Sequence, residues 1–173
     1  ILINNAGFGF SGLFLENPME NYEDMMNVNI YSLTALTHLF LKDMIGREGC
    51  GIINISSLAS FQSIPYFSIY AATKAFVTSF TKGIYEEYRE TGVKILGVCP
   101  GYTKTNFNKR ADMPDNNHAT GYIMSAEAVA RQSLKAYANN KYILINGFTN
   151  KITKGIMRIL PQTISLKLTK MIL

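Results

Sequence analysis

Tyr70-Ala71-Ala72-Thr73-Lys74 sets a phenol and an ammonium four residues apart, on one face if the stretch is helical. A phenol so placed can give a proton to a carbonyl oxygen or take one from an alcohol, although an unperturbed pKa near 10 makes it a poor base at neutral pH. A lysine at about 5 Å, across an effective dielectric of about 20, contributes roughly 3 kcal/mol toward the phenolate, or about two pKa units. The spacing alone selects nothing. Tyr137 and Lys141 repeat it, and a chain with 10 tyrosines and many lysines makes such a pair by chance. Ser57 separates the first pair from the second: it directly follows the apolar run Gly51 to Ser56, so it stands at a strand end where a hydroxyl can meet a helix face. By itself it is an ordinary strand-terminating turn residue.

Other polar residues gather at similar places. After the apolar run Lys94 to Cys99 comes Pro100-Gly101-Tyr102-Thr103-Lys104-Thr105, which brings two threonine hydroxyls to the same edge. Asn4-Asn5-Ala6-Gly7 ends the first apolar run, and small residues there let a flat ligand approach the backbone; a plain strand-to-helix turn reads equally well. Gly7-Phe8-Gly9-Phe10-Ser11-Gly12 has the outline of a dinucleotide fingerprint, but that motif needs its helix to open at the glycines, and the helix signal here waits until Pro18. Asn29 lies inside a helical stretch, where asparagine competes for backbone hydrogen bonds and ordinarily faces solvent. His38 and His118 have no partner that suggests chemistry. Cys50 and Cys99 form no metal-ligand pattern and read as thiols in a reducing cytoplasm, so no metal site is expected.

The elements that must position these residues follow from periodicity. Four short branched-apolar segments, Ile1 to Asn4, Gly51 to Ser56, Lys94 to Cys99 and Tyr142 to Ile145, alternate with helical stretches, which predicts βαβ units and a parallel sheet. One helix is expected from Asn17 as cap and Pro18 as first residue to about Ile45. A second covers about Ile69 to Arg89, with Ala72, Phe76, Val77, Phe80 and Ile84 on its apolar side, and ends near Thr91-Gly92. A third starts after Ser125 and carries Val129, Leu134 and Tyr137. The polar stretch between Thr103 and Ser125, with Asp112, Pro114 and Gly121, is too irregular for the sheet, and Asn106 to Gly121 is expected to be a flap over the site.

A length of 173 residues with 47% hydrophobic content suits one globular domain. The net charge of +5 is not spread over it. Acidic and basic residues cancel up to Thr149, and the surplus lies on Lys151, Lys154, Arg158, Lys167 and Lys170, so a nucleic-acid face on the globular part is not expected. We therefore divide the chain into residues 1–149 and a basic, amphipathic tail, 150–173, in which Lys151 to Leu160 and Ile164 to Leu173 are separated by Pro161. That composition suits peripheral contact with anionic lipid, or a lid. The chain opens on Ile1, inside an apolar run, and its first methionine is Met19; it reads as a piece of a longer protein.

In their order, Asn4-Asn5-Ala6-Gly7, the Asn29 segment, Ile53-Asn54-Ile55-Ser56-Ser57, Tyr70 to Lys74, and Pro100-Gly101 with Thr103 and Thr105 resemble the short-chain dehydrogenase/reductase family. The resemblance covers about residues 1 to 145, and Ser57 lies thirteen residues before Tyr70, a spacing common in that family. It implies a partial Rossmann-type, doubly wound α/β parallel sheet lacking its first three strands, with the glycine-rich turn and the residues that choose NAD or NADP upstream of Ile1. It implies an oxidoreductase that moves hydride between NAD or NADP and a small-molecule carbonyl or alcohol. Tyr70 would be the general acid, Lys74 would lower its pKa and hold the nicotinamide ribose, Ser57 would bond the substrate oxygen, and Asn29 would position a water. Asn5, Ala6 and Gly7 would line the cofactor, and Pro100, Gly101, Thr103 and Thr105 would orient the nicotinamide. Homo-oligomers packed through the two long helices are common in the family. Phe8, Phe10, Phe14, Phe61, Ile64 and Tyr66 suggest an apolar substrate. A non-catalytic scaffold that keeps the fold, or an inactive truncated product, carries the same motifs.

Overall fold

The computed structural model describes residues 1–107, 111 and 123–172. Most of the flap expected over Asn106 to Gly121, with His118, lies outside these residues. Four parallel strands form the sheet: β1 (Leu2–Asn4), β2 (Gly51–Ile55), β3 (Lys94–Cys99) and, after two short strands, β6 (Ile143–Ile145). They lie in the order β1-β2-β3-β6, with Asn4 opposite Asn54 and Asn54 opposite Gly97. The short strands β4 (Thr103–Lys104) and β5 (Met124–Ser125) pair with each other.

Helices cover both faces, because the buried strands are apolar on both sides. On one face, α2 (Leu33–Met44) and α3 (Ser68–Glu87) pack Leu41, Met44 and Ile84 on Ile52 and Ile95. On the other, α4 (Ala126–Ala138) packs Ala136 and Tyr137 on Ile53, Leu96 and Val98. Ser125 caps α4 by accepting from the Ala128 amide at 3.1 Å. Gly92, in the left-handed region at φ +81°, turns the chain from α3 into β3.

The buried face of α3 is more polar than its apolar spacing predicts. Ala72 and Phe76 are exposed, while Thr73, Lys74, Thr78 and Thr81 are buried with Val77 and Ile84. Hydrogen bonds to the sheet replace part of the expected apolar contact. The Asn4 amide donates to Thr37 on α2 (3.0 Å) and to Asn54 (2.8 Å), whose amide in turn donates to Thr81 on α3 (3.0 Å). One strand register further on, Ser56 donates to the Lys74 carbonyl at 2.8 Å and shares a 2.7 Å bond with Thr78. These two rows tie α2, β1, β2 and α3 together at the carboxyl half of the sheet. Leu134 of α4 is likewise exposed rather than packed.

The first long helix also departs from expectation. Pro18, not Asn17, is the cap residue; the Asn17 amide points back to the Ser11 carbonyl at 3.4 Å. α1 (Met19–Met26) then passes through a π-helical turn, Asn27–Ser32, before continuing as α2. Within and just after that turn Ser32 and Thr34 bond the carbonyls of Asn27 and Ile30, at 2.9 and 2.8 Å, side-chain bonds that widen a helix locally. Two further helices, α5 (Phe148–Ile159) and α6 (Gln162–Ile172), follow β6, separated at Leu160-Pro161. Among the described residues no helix is long and apolar enough to cross a membrane.

Candidate active site

The carboxyl ends of β1, β2 and β3 bring the candidate residues together from loops far apart in sequence. The Ser57 hydroxyl, just past β2, accepts from the Ala59 amide at 3.1 Å, which caps a 3-10 turn over Leu58–Phe61. The Leu58 amide donates to the Pro100 carbonyl at 2.7 Å, so the Ser57 and Pro100 loops are joined by backbone. From the first turn of α3 the Tyr70 phenol comes close enough to Ser57 for that hydroxyl to act on its pKa.

Tyr70 is nearly out of water. Phe67 lies against its ring with centroids 4.4 Å apart, and Phe107 at 5.3 Å. Phe8, Phe10 and Ile64 pack on the same cluster, whose buried part includes Tyr22, Met25 and Ala111. Burial raises the Tyr70 pKa to about 12, against the smaller lowering by the Ser57 hydroxyl. This corrects the expectation of a phenol brought down by Lys74. The lysine Nζ lies 5.7 Å from the Tyr70 ring centroid and spends a hydrogen bond on the Ile55 carbonyl, at 3.0 Å. Lys74 is only 4% exposed, and its own burial lowers its pKa to about 8.

Asn29 is 1% exposed, so it does not face solvent as a mid-helix asparagine ordinarily would. The π turn aims it across the site. Its Oδ1 accepts from the Phe8 amide (3.1 Å), and its Nδ2 donates to the Phe8 carbonyl (2.9 Å) and to Thr73 (3.0 Å). Thr73 in turn donates to the Tyr70 carbonyl at 2.8 Å, which links the loop after β1 to the helix that carries the phenol. A Cβ at Gly7 would sit 3.0 Å from both Asn29 Oδ1 and Lys74 Nζ, a tight fit that a side chain could take only by displacing them.

Asn5 and Ala6 are exposed beside Gly7. Thr103 donates to the Gly101 carbonyl at 3.0 Å, and Thr105 accepts from the Phe107 amide at 3.2 Å; both shape their own loop in this arrangement. Phe61 and Tyr66 lie away from Tyr70, beneath Lys154 and Lys170 of the last two helices, at 4.6 and 5.9 Å. Phe14 stacks on Tyr22 with centroids 5.4 Å apart.

Three contributors carried no sequence signal: Phe67 and Phe107, whose rings enclose Tyr70, and Asn150 of α5. Asn150 is buried, bonds the Asn146 carbonyl at 2.7 Å, and occupies the space that a Cβ at Gly101 would take. Tyr66, in the left-handed region at φ +63°, is a strained residue that accepts the Gly12 amide at 2.9 Å and so holds the two loops beside the phenol together.

This geometry coincides with a match of residues 1–116 to the short chain dehydrogenase family model. The chain belongs to the short-chain dehydrogenase family. It is 32% identical over 160 residues to the ketoacyl reductase HetN of a Nostoc strain, covering 89% of this chain and 54% of that protein. It is 33% identical over 174 residues to the human very-long-chain 3-oxoacyl-CoA reductase, covering 97% of this chain and 53% of the relative. A short-chain dehydrogenase from Sphingobium yanoikuyae, solved in complex with NADPH, superposes with a TM-score of 0.78 at 26% identity, covering 93% of this chain and 65% of the other. The chain thus spans about half the length of the curated relatives it matches. Solved members of the family hold NAD or NADP.

Proposed function

We propose that the protein this chain represents is a nicotinamide-dependent reductase of ketones on apolar chains, such as 3-oxoacyl groups, with Tyr70 as proton donor. The observation that carries the reading is the convergence of Ser57 and Tyr70, with the buried Lys74 ammonium held beside Gly7. The bare backbone of Asn5, Ala6 and Gly7 suits the approach of a flat dinucleotide ring, and a side chain at Gly7 would press on Asn29 and Lys74. Asn5, Ala6, Gly7, Lys74, Pro100, Gly101, Thr103 and Thr105 would hold the cofactor. When bound, the nicotinamide supplies or accepts the hydride.

The residues do the rest. Ser57 donates a hydrogen bond to the substrate carbonyl oxygen as negative charge builds there. Tyr70, with its pKa raised to about 12, is protonated throughout the neutral range and so holds the proton that it delivers to that oxygen in reduction. Lys74 keeps positive charge beside the phenol as the proton leaves. Asn29 holds the Phe8 segment and Thr73 in place and orients the water that returns a proton to Tyr70. Phe8, Phe10, Ile64, Phe67 and Phe107 form an apolar wall that suits an acyl chain and excludes water. Exposed apolar residues on the two long helices, Tyr31, Leu36, Leu39 and Phe40 on the π turn and α2 and Phe76 on α3, support a homo-oligomer packed through them. The free thiols Cys50 and Cys99 suit a cytoplasmic setting.

In the intact protein, Tyr70→Phe leaves NAD(P)H binding in place and lowers ketone reduction by on the order of a hundredfold or more, read from cofactor absorbance under single-turnover conditions. Near-normal turnover by that variant removes the mechanism, and a wild type that binds NAD(P)H but reduces no ketone favours a scaffold that keeps the fold.

A further inference from the structure

The last two helices are docked inside out. An amphipathic helix on a globular protein buries its apolar side. α5 and α6 do the reverse: Asn150 of α5 and Ser165 and Thr169 of α6 are buried, whereas Phe148, Ile152, Ile156 and Ile159, spaced to lie along one side of α5, face outward. Phe148 is 76% and Ile159 is 85% exposed. On α6, Ile164 and Leu168, one turn apart, are also exposed. The other residues of the two rows are about half exposed.

The polar side is held firmly. Lys154 lies over the Phe61 ring, Lys170 lies over the Tyr66 ring, and the Ser165 hydroxyl donates to Met157 Sδ at 3.4 Å, so the apolar rows do not face outward for want of contacts beneath. A cleft of about 680 Å³, bounded by Phe61, Ile64, Ala72, Met157, Leu160 and Leu166, lies on that inner side.

We propose that α5 and α6 form a docking surface for an anionic phospholipid bilayer, with the outward apolar rows among the acyl chains at the interface and the flanking Lys151, Arg158 and Lys167 against the lipid phosphates. Charge selects this occupant. Residues 150–173 carry five basic residues and no carboxylate. A second copy of the same face, brought up across a twofold axis, would set these charges against their own kind with nothing to neutralise them. An anionic headgroup layer pairs Lys151, Arg158 and Lys167, and basic residues bordering an exposed apolar row are what interfacial helices need. The assignment does not rest on the catalytic reading above.

Flotation through a density gradient tests it with the full chain. The probes are vesicles of phosphatidylcholine alone and vesicles in which phosphatidylserine makes up a third of the lipid. The chain is expected to rise with the anionic vesicles at low salt, to stay behind with the neutral ones, and to be released by added salt. Ile156→Ser with Ile159→Ser, and separately Lys151→Gln with Arg158→Gln, each weaken binding roughly tenfold or more. All four positions are exposed, and an unchanged circular dichroism melt shows that the variants stay folded. A chain that stays at the bottom with anionic vesicles overturns the proposal. So does equal flotation with both vesicle types, or a lipid-independent dimer that dissociates in the isoleucine variant, since that outcome hands the face to a second copy.

Discussion

Tyr70 and Lys74 share one apolar environment, and burial pushes the phenol up to about 12 and the ammonium down to about 8. Each is thereby driven toward its neutral form. The unfolded chain keeps the lysine proton up to its ordinary value of 10.5, while the folded chain releases it near 8, so stability rises as the pH increases through that window. For this one group the rise amounts to up to about 3 kcal/mol. The Tyr70 phenol acts with the opposite sign, and only above its ordinary value of 10.0, where the unfolded chain loses a proton that the folded chain retains. Lys74→Met is therefore expected to abolish the gain between about pH 7 and about pH 10. Urea denaturation midpoints of both proteins across that range check this. A parallel pH profile for the two would mean that Lys74 titrates in the fold as it does in water.

At the scale of elements, the π turn over Asn27–Ser32 sets the geometry of the site, because it turns Asn29 inward from a helix whose neighbouring positions are partly in solvent. Three hydrogen bonds then join that turn to Phe8 and Thr73. Asn29→Ala leaves the half-buried Phe8 amide and carbonyl and the buried Thr73 hydroxyl without those partners. A loss of about 1 to 3 kcal/mol is expected, with faster hydrogen exchange at the Phe8 amide than at amides of β3. Exchange at Phe8 unchanged from wild type would show that the loop after β1 is held by something other than Asn29. The asparagine and the glycine before Phe8 stand out in the sequence, but the π turn does not, since no pattern of residue types distinguishes it from an ordinary helix.

For the whole molecule, the sheet ends on one side at β1, which pairs only with β2 among the described residues. Ile1 and Ile3 are exposed there, Ile3 by 53%, so this chain presents an open strand edge that carries apolar side chains. We expect the isolated chain to associate with rising concentration, and Ile3→Lys to reduce that association by placing a charge on the edge. Static light scattering of both forms reads the outcome. Equal scattering would move the source of self-association to the exposed residues of α2, where Leu39 and Phe40 are the substitutions to make next.

What the sequence determined by itself was whatever local pattern encodes. Branched apolar runs ended by polar residues set the strands, and their alternation with helical periods set a parallel α/β sheet. Because the ends of such strands share one edge, Ser57, Tyr70, Lys74 and Pro100 were legible as neighbours before any contact was known. The tertiary structure decided what depends on several elements at once. The rings of Phe67 and Phe107 reverse the expected shift of the phenol, since desolvation is a sum over neighbours from different loops. The polar face of α3 is buried because Asn54 and Ser56 present partners at the matching register. The apolar rows of α5 and α6 could be found from spacing, but which way they turn was settled by Lys154, Lys170 and Asn150 finding Phe61, Tyr66 and Gly101 on the other side. A helical period states that two sides differ; only the surface beneath selects the one that is buried.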